Sequence, residues 1–231
     1  GQDPEFFHKE AAARGWNTHS YFSTVEASFM QNQKPVREQD KVEGHAVRAM
    51  YLLTAMADLA AEDHDEPLME ACRRLWDNLT EKRMYLTAGI GSTASVEGFT
   101  ADYDLPDNTA YAETCAAVGL CFFARRMLEA EPSARYADVL ERALYNGTIS
   151  GMQLDGTKFF YINPLEVNPG LPTTAYGSEE ITFQRIGWYN CACCPPNLAR
   201  LMASLGSYAW SSAEDTIYSH LFIGGTARFE T

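Results

Sequence analysis

Three of the six cysteines in this chain lie within four positions, in the segment Asn190-Cys191-Ala192-Cys193-Cys194-Pro195-Pro196-Asn197. Adjacent cysteines seldom pair, because a disulfide needs a Cβ geometry that neighbouring residues rarely provide. Upstream, Glu113-Thr114-Cys115 adds a carboxylate and another thiol. One turn cannot point three sulfurs at one ion, so we expect two of the three clustered cysteines to be ligands. Three thiolates and one carboxylate are ligands that zinc accepts together, and the fold must then bring these two segments together.

The same residues leave other interpretations open. Free cysteines are often small buried hydrophobic residues, and Cys191 with Cys193 would serve as a resolving pair in a thiol redox protein. A purely structural zinc ion could also stabilise a helical domain that binds carbohydrate without turnover. On a regular helix the side chains of Glu113 and Cys115 would point about 200° apart. If they share an ion, the backbone there must be irregular or lie where a helix begins.

Charge and apolar runs exclude several classes of partner. The net charge of −13 and the lack of a Lys/Arg-rich run argue against nucleic acid and anionic membrane surfaces. No stretch approaches the roughly 20 apolar residues that span a bilayer. Residues 1–5 show no targeting signal. The uneven cysteine spacing is unlike a disulfide framework and favours a reducing, cytoplasmic compartment. The oligomeric state is left open.

Apolar periodicity predicts a mainly helical chain. Helices are expected within Val36–Ala61, over Pro67–Thr80, from a cap at Asn108 or Thr109 to about Ala130, from Tyr136 to about Ser150, and from Pro195 to about Ser211. Loops are expected over Leu86–Thr100 and 164–180, a hairpin turn at Asp155-Gly156, and strands over Thr216–Ile223 and Thr226–Glu230. Helices paired in series favour an incomplete α/α toroid over residues 1–213, followed by a β region over residues 214–231.

Carboxylates before Glu113 are candidates for acid–base chemistry. They are Glu97, Asp102, Asp104 and Asp107. A glycosidase needs a proton-donating carboxyl facing a nucleophile, but the spacing does not choose among the four, and a solvated acidic loop is the ordinary alternative. His45 falls on the apolar stripe of the first long helix, where a histidine more often belongs to the core.

In these residues the chain resembles glycoside hydrolase family 127, the retaining β-L-arabinofuranosidases. An ordered series of motifs carries the resemblance: Lys34-Pro35-Val36-Arg37-Glu38-Gln39, Gly44-His45-Ala46-Val47-Arg48, Gly89-Ile90-Gly91-Ser92, Tyr103-Asp104-Leu105-Pro106, Glu113-Thr114-Cys115 and Cys191-Ala192-Cys193-Cys194-Pro195. It spans nearly the whole chain. It implies part of an (α/α)6 barrel and the first strands of a following β-sandwich.

The resemblance also implies a set of site residues. Zinc would be held by Glu113, Cys115, Cys193 and Cys194, with Cys193 as the nucleophile and Glu97 as the general acid/base. His45, Glu141 and Tyr161 would contact the substrate, a terminal β-L-arabinofuranose of plant glycans or glycoproteins. Related enzymes with this arrangement act on other uncommon plant-wall sugars, so the reaction class is better defined than the sugar.

Two departures accompany the resemblance. The family's earlier helices and most of its β-sandwich would lie outside this chain, together with further histidines that bind the sugar. We therefore expect a half-built sugar subsite, and a protein of this length alone could be inactive. Residues 94–96 and Gly98, on either side of Glu97, also differ from the family's commoner pattern.

Overall fold

The computed structural model describes residues 3, 5–16, 27–170, 184–213 and 215–229 of the chain. Within them the chain is mainly helical, as predicted. The helices are α1 (Phe6–Ala13), α2 (Ala46–Glu62), α3 (Glu66–Lys82), α4 (Thr114–Ala130), α5 (Ala134–Arg142), α6 (Cys194–Ser204) and α7 (Gly206–Ala209). Short 3-10 turns lie at Ala27–Met30, Val36–Glu38 and Ile149–Gly151, and a π-helical turn at Ala143–Thr148 extends α5. None of the described helices combines the length and apolarity needed to cross a membrane.

The helices pack in pairs around one main core. α2 packs most extensively against α4, and consecutive helices also pack, α2 on α3 and α4 on α5. Gly119 permits the closest approach, since a Cβ there would lie 2.7 Å from Cβ of Met50. The large side chains at the centre include Trp76, Phe123 and Tyr136, each at most 1% exposed. This pairing agrees with part of a helical barrel.

The helix predicted within Val36–Ala61 begins only at Ala46. Residues before it form the 3-10 turn at Val36–Glu38, and Gly44 takes a left-handed conformation with φ of 75°. His45 is the N-cap, and its Nδ1 accepts a hydrogen bond from the backbone N–H of Arg48 at 3.4 Å. His45 therefore precedes the helix and faces the site at its N-terminus, whereas the apolar stripe had favoured a core position.

The start of α4 also differs from the prediction. The proposed caps Asn108 and Thr109 lie in a turn, and the helix begins at Thr114 with Glu113 as its N-cap residue. A left-handed Ala112, with φ of 39°, changes the chain direction just before it. The fourth predicted helix begins at Ala134 and passes into the π-helical and 3-10 turns near its expected end.

The C-terminal strands differ from the prediction in their pairing. β1 (Trp210–Ala213) pairs antiparallel with β2 (Thr216–Ser219), so the predicted last helix gives way to a strand at Trp210. Residues 226–229 are not a strand, and Glu230 lies outside the described residues. The predicted boundary at 213/214 falls between β1 and β2, and the division into domains stays a prediction.

The predicted loops and hairpin agree with the described backbone. Met152 pairs with Phe159 across the turn at Asp155-Gly156, where Gly156 has φ of 72°. The segment Leu86–Thr100 is irregular. Residues 164–170 of the other predicted loop are also irregular, and its remainder, 171–180, lies outside the described residues.

Candidate active site

Glu113 and Cys115 meet because α4 begins between them. Glu113 is extended, with φ of −61° and ψ of 136°, whereas Cys115 is the second helical residue. Thr114 anchors this point, since its N–H donates to the carbonyl of Tyr161 at 2.9 Å and its hydroxyl to that of Phe160 at 2.9 Å. The irregular geometry that a shared ion requires is therefore present, and the side chains of Glu113 and Cys115 can face the same point.

Cys193 and Cys194 lie at the start of another helix. Cys193 is the N-cap of α6 and Cys194 its first residue, with two prolines in the first turn. The N-terminal ends of α4 and α6 thus meet at one place. Each end carries a partial positive charge of about half an elementary charge, which stabilises thiolates and carboxylates. Cys191 precedes the helix and is exposed.

The four candidate ligands form one cluster, in which a donor atom from each lies within 4.8 Å of the others. Oε1 of Glu113 is 3.4 Å from Sγ of Cys193 and 3.6 Å from Sγ of Cys194, and the two sulfurs are 3.6 Å apart. Oε2 of Glu113 is buried and has no hydrogen-bond partner among the described residues. A buried carboxylate oxygen beside three thiols fits a thiophilic divalent cation.

The electrostatics of this cluster support the same interpretation. Burial, followed by the nearby Cys193, holds the pKa of Glu113 well above its usual range, and burial also raises the pKa of Cys194. Hydrogen bonds with Cys193 and Cys194 lower the pKa of Cys115 to about 5. These four donors resist simultaneous ionisation because their charges would repel in a buried space. A divalent cation would stabilise the fully ionised set.

Glu97 lies beside this cluster and is paired with His45. Nε2 of His45 is 2.9 Å from Oε2 of Glu97. Because Nδ1 accepts the backbone N–H of Arg48, a neutral His45 carries its proton on Nε2 and donates it to Glu97. This hydrogen bond is the main reason that the pKa of Glu97 is lowered, against the effect of burial. His45 therefore does not offer a lone pair to a metal ion, although Nε2 lies near Glu97 and Glu113.

The backbone places Glu97 by a close approach of two segments. Glu97 is left-handed, with φ of 48°, and its carbonyl accepts the N–H of Ala46 at 3.0 Å. The next residue, Gly98, pairs with His45 across an antiparallel bridge. A Cβ on Gly98 would lie 1.8 Å from the carbonyl oxygen of Gly44. Glycine at position 98 is thus required for this approach.

Tyr161 completes the wall beside the cysteines. Its hydroxyl is 3.1 Å from Sγ of Cys193. Tyr189 fixes Tyr161 in place, since its hydroxyl accepts the backbone N–H of Tyr161 at 3.1 Å and donates to the carbonyl of Phe159 at 2.8 Å. Burial, followed by the charge of Glu113, raises the pKa of Tyr161, so its hydroxyl keeps its proton and can donate to a thiolate.

Six of the eight residues assigned by resemblance line one cavity of about 460 Å³: His45, Glu97, Glu113, Cys115, Tyr161 and Cys193. A cavity of this size accommodates a monosaccharide and part of its leaving group. Cys194 is buried behind the wall, in contact with Glu113. Glu141, on α5, is half-buried and is not among the described residues that line the cavity, and its substrate contact stays a prediction.

The fold also separates the four loop carboxylates. Asp102 accepts hydrogen bonds from Nε of Arg83 at 2.7 Å and from Nδ2 of Asn78 at 3.2 Å. Of the four, only Glu97 is among the described residues lining the cavity.

Sequence reasoning assigned no role to the cavity residues Tyr51, Asn197 and Arg200. The spacing of Asn197 and Arg200 after Cys194, one and two helical turns on, was the available signal.

The fold and this cavity define a helical domain in which a candidate metal-ligand set of one carboxylate and three thiols lies beside the carboxylate of Glu97. The family model "Beta-L-arabinofuranosidase, GH127 catalytic domain" matches residues 5–207, and the chain belongs to this family. The resemblance seen in the motifs is thereby confirmed.

Known proteins agree over nearly the whole chain. A non-reducing end beta-L-arabinofuranosidase from Bifidobacterium longum subsp. longum is 43% identical over an alignment of 233 positions, which covers 99% of this chain and 35% of that protein. The crystal structure of a GH127 beta-L-arabinofuranosidase from Geobacillus stearothermophilus T6 has a TM-score of 0.88 and 52% identity, covering 97% of this chain and 35% of the other. A further solved GH127 beta-arabinofuranosidase has a TM-score of 0.78 and 38% identity over 96% of this chain and 35% of its own. The chain thus spans about a third of the length of these relatives.

Proposed function

We propose that the protein containing this chain is a retaining glycoside hydrolase that releases terminal β-L-arabinofuranose, with Cys193 as nucleophile and Glu97 as general acid/base. The observation that carries the proposal is that both side chains line one sugar-sized cavity, where Cys193 lies beside the ligand cluster and Glu97 beside His45. The family and the names of the relatives support the substrate class.

Glu113, Cys115, Cys193 and Cys194 would hold the metal ion, for which we propose zinc. When bound, zinc would supply positive charge that keeps the thiols ionised at neutral pH. The two helix N-termini contribute in the same direction. Tyr161 would donate its hydroxyl proton in a hydrogen bond to Cys193 and orient the sulfur toward the cavity.

In the first step Sγ of Cys193 bonds to the anomeric carbon as the bond from that carbon to the leaving oxygen breaks. The proton of Glu97 moves to the leaving oxygen, which departs as an alcohol. In the second step a water molecule gives its proton to the carboxylate of Glu97 and its oxygen to the anomeric carbon, and the thiolate of Cys193 leaves. Two inversions retain the configuration, and one carboxyl serves both steps.

The pKa of Glu97 bears differently on the two steps. Its hydrogen bond from His45 favours the carboxylate, which is the form needed as the base in the second step. The first step requires the protonated form. Burial opposes the effect of His45 and raises the pKa of Glu97. A sugar in the cavity would exclude water and increase this burial, which favours the protonated form.

The purified full-length protein that contains this chain would be analysed for zinc per chain and for hydrolysis of 4-nitrophenyl β-L-arabinofuranoside. We expect one zinc per chain, turnover in the unsubstituted protein, and near-complete loss of turnover in Cys193→Ala. A purely structural zinc site would bind the metal with no turnover. A redox protein would instead show substoichiometric zinc and a Cys191–Cys193 disulfide under mild oxidant. Panels of other uncommon plant-wall glycosides would test the sugar.

A further inference from the structure

The cavity of the candidate active site has a closed end and an open side. Glu113 and Cys115 form the closed end, where each is only 2% exposed. The open side is formed by the exposed members of the described lining, Tyr51, Cys191, Pro196 and Arg200. A terminal sugar whose anomeric carbon meets Cys193 fills the closed end, so the group attached to that sugar must pass the open side.

Tyr51 and Arg200 are held together on this open side. Nη2 of Arg200 donates to the hydroxyl of Tyr51 at 3.1 Å and to Oδ1 of Asn197 at 2.7 Å. Phe122 supports both side chains, since Cζ of Arg200 lies 4.6 Å from its ring centre and the ring of Tyr51 stacks on it with the centres 6.3 Å apart. These contacts pre-organise the pair, so little side-chain freedom is lost when a ligand binds.

The pair offers hydrogen-bond donors to the cavity. A guanidinium carries donors only, and the hydrogen bonds that Arg200 makes within the described part of the chain both come from Nη2, which leaves Nε and Nη1 for a ligand. The oxygen of Tyr51 already accepts from Arg200, so its own proton is available to donate. The group recognised here must therefore supply acceptor oxygens.

Charge selects the kind of acceptor. Four anionic ligands around a divalent ion leave the proposed metal site with a net negative charge, and Glu97 lines the same cavity. A carboxylate on the ligand would be repelled by these groups, because like charges interact strongly where water is partly excluded. Hydroxyl oxygens accept hydrogen bonds without adding charge, and a neutral sugar presents several of them on a rigid ring.

We propose that Tyr51 and Arg200 are specificity-determining residues that bind the hydroxyl oxygens of a neutral sugar, which is the leaving group of the reaction. This inference rests on the proposed function and adds a position for a second sugar to it. The preferred substrate is then a terminal arabinofuranose linked to another neutral sugar, rather than to an alkyl or aryl group. A site built to hydrogen-bond a substrate hydroxyl rejects the analogue that lacks it.

Two substrates test this in the full-length protein: a disaccharide of two β-L-arabinofuranose units, and cyclopentyl β-L-arabinofuranoside, whose leaving group is a ring without hydroxyls. Arg200→Met keeps an unbranched apolar side chain against Phe122 and removes the donors. The ratio of kcat/KM for the disaccharide to kcat/KM for the cyclopentyl glycoside should fall about 10- to 100-fold, as expected for lost hydrogen bonds from a charged donor. The change should lie mainly in the KM of the disaccharide. Tyr51→Phe should lower the same ratio about 2- to 10-fold, because it removes a neutral donor.

Arg125→Met is the matched control. Cζ of Arg125 also packs on an aromatic ring, 4.9 Å from the ring centre of Tyr208, but Arg125 is not among the described residues that line the cavity. It should leave the ratio unchanged. An unchanged ratio in Arg200→Met, or in Tyr51→Phe should the first variant not fold, overturns the inference, and so does hydrolysis of the cyclopentyl glycoside alone by the unsubstituted protein. If the unsubstituted protein hydrolyses neither substrate, the proposed function itself fails.

Discussion

Gly98→Ala is the sharpest perturbation of the acid/base loop. The added Cβ would lie 1.8 Å from the carbonyl oxygen of Gly44 and 3.0 Å from Cα of His45. Both obstacles are backbone atoms, which cannot rotate away as a side chain can. Since Cβ atoms essentially never come within 3.0 Å of another heavy atom, the two segments must separate by roughly 1.2 Å in a densely packed region.

This separation acts on Glu97, the residue immediately before Gly98. A displacement of about 1 Å in a reacting group lowers the rate about 100-fold, so kcat/KM should fall by about that factor. Overpacking should also cost about 1–3 kcal/mol of the free energy of unfolding. Zinc content should stay at the unsubstituted value, because the proposed ligands are held by the backbone at the starts of α4 and α6 and not by the contact between Gly44 and Gly98.

Three assays check this prediction: hydrolysis of 4-nitrophenyl β-L-arabinofuranoside, denaturant unfolding and zinc analysis. Gly206→Ala is the control, because no heavy atom lies within 4 Å of a Cβ at that glycine. It should leave activity and zinc content unchanged and should not lower the free energy of unfolding, because alanine favours a helix more than glycine does. Full activity and unchanged stability in Gly98→Ala would refute the claim that this close approach places Glu97.

Three further predictions concern the same structure. Arg83→Met should lower the free energy of unfolding, measured by urea denaturation, by about 3 kcal/mol. This is the low end for a broken buried ion pair, because the partner Asp102 is a quarter exposed. The control Lys34→Met, which breaks an exposed ion pair, should lower it by less than about 1 kcal/mol. His45→Asn can still cap α2, but it removes the main cause of the lowered pKa of Glu97. Because the first step needs protonated Glu97, the alkaline limb of the pH profile of kcat/KM for an alkyl arabinoside should move to higher pH. An alkaline limb that stays in place or moves to lower pH would contradict this. Chelation should lower both activity and melting temperature, and zinc but not magnesium should restore them because the sulfur donors are soft; restoration by magnesium would contradict the assigned ligands.

The long helices could be predicted from the sequence, but the starts of α2 and α4 could not. α3 begins as expected, with Pro67 in its first turn and Asp65 as a side-chain cap. α4 begins with Glu113, whose side chain makes no capping hydrogen bond. Contacts with the distant Tyr161 segment fix that start, so the local cap signals at Asn108 and Thr109 were misleading.

The candidate ligands were visible in the sequence, whereas the choice between similar residues required the fold or the family. Which two of the three clustered cysteines approach Glu113 depends on where α6 begins. The choice of Glu97 over Asp102 depends on Arg83, which binds Asp102 away from the cavity. Asn197 and Arg200 follow Cys194 by one and two helical turns, but this spacing alone does not distinguish a cavity residue from any other residue of the helix.

Trapping the covalent intermediate in Glu97→Gln tests the central claim most directly. With 4-nitrophenyl β-L-arabinofuranoside the leaving group needs no acid, whereas the second step still lacks its base. The protein should therefore release one 4-nitrophenol per chain in a burst and gain the mass of one pentosyl group, which peptide mapping would place on Cys193. A pentosyl group on another residue, or sustained turnover at the unsubstituted rate, would contradict the account.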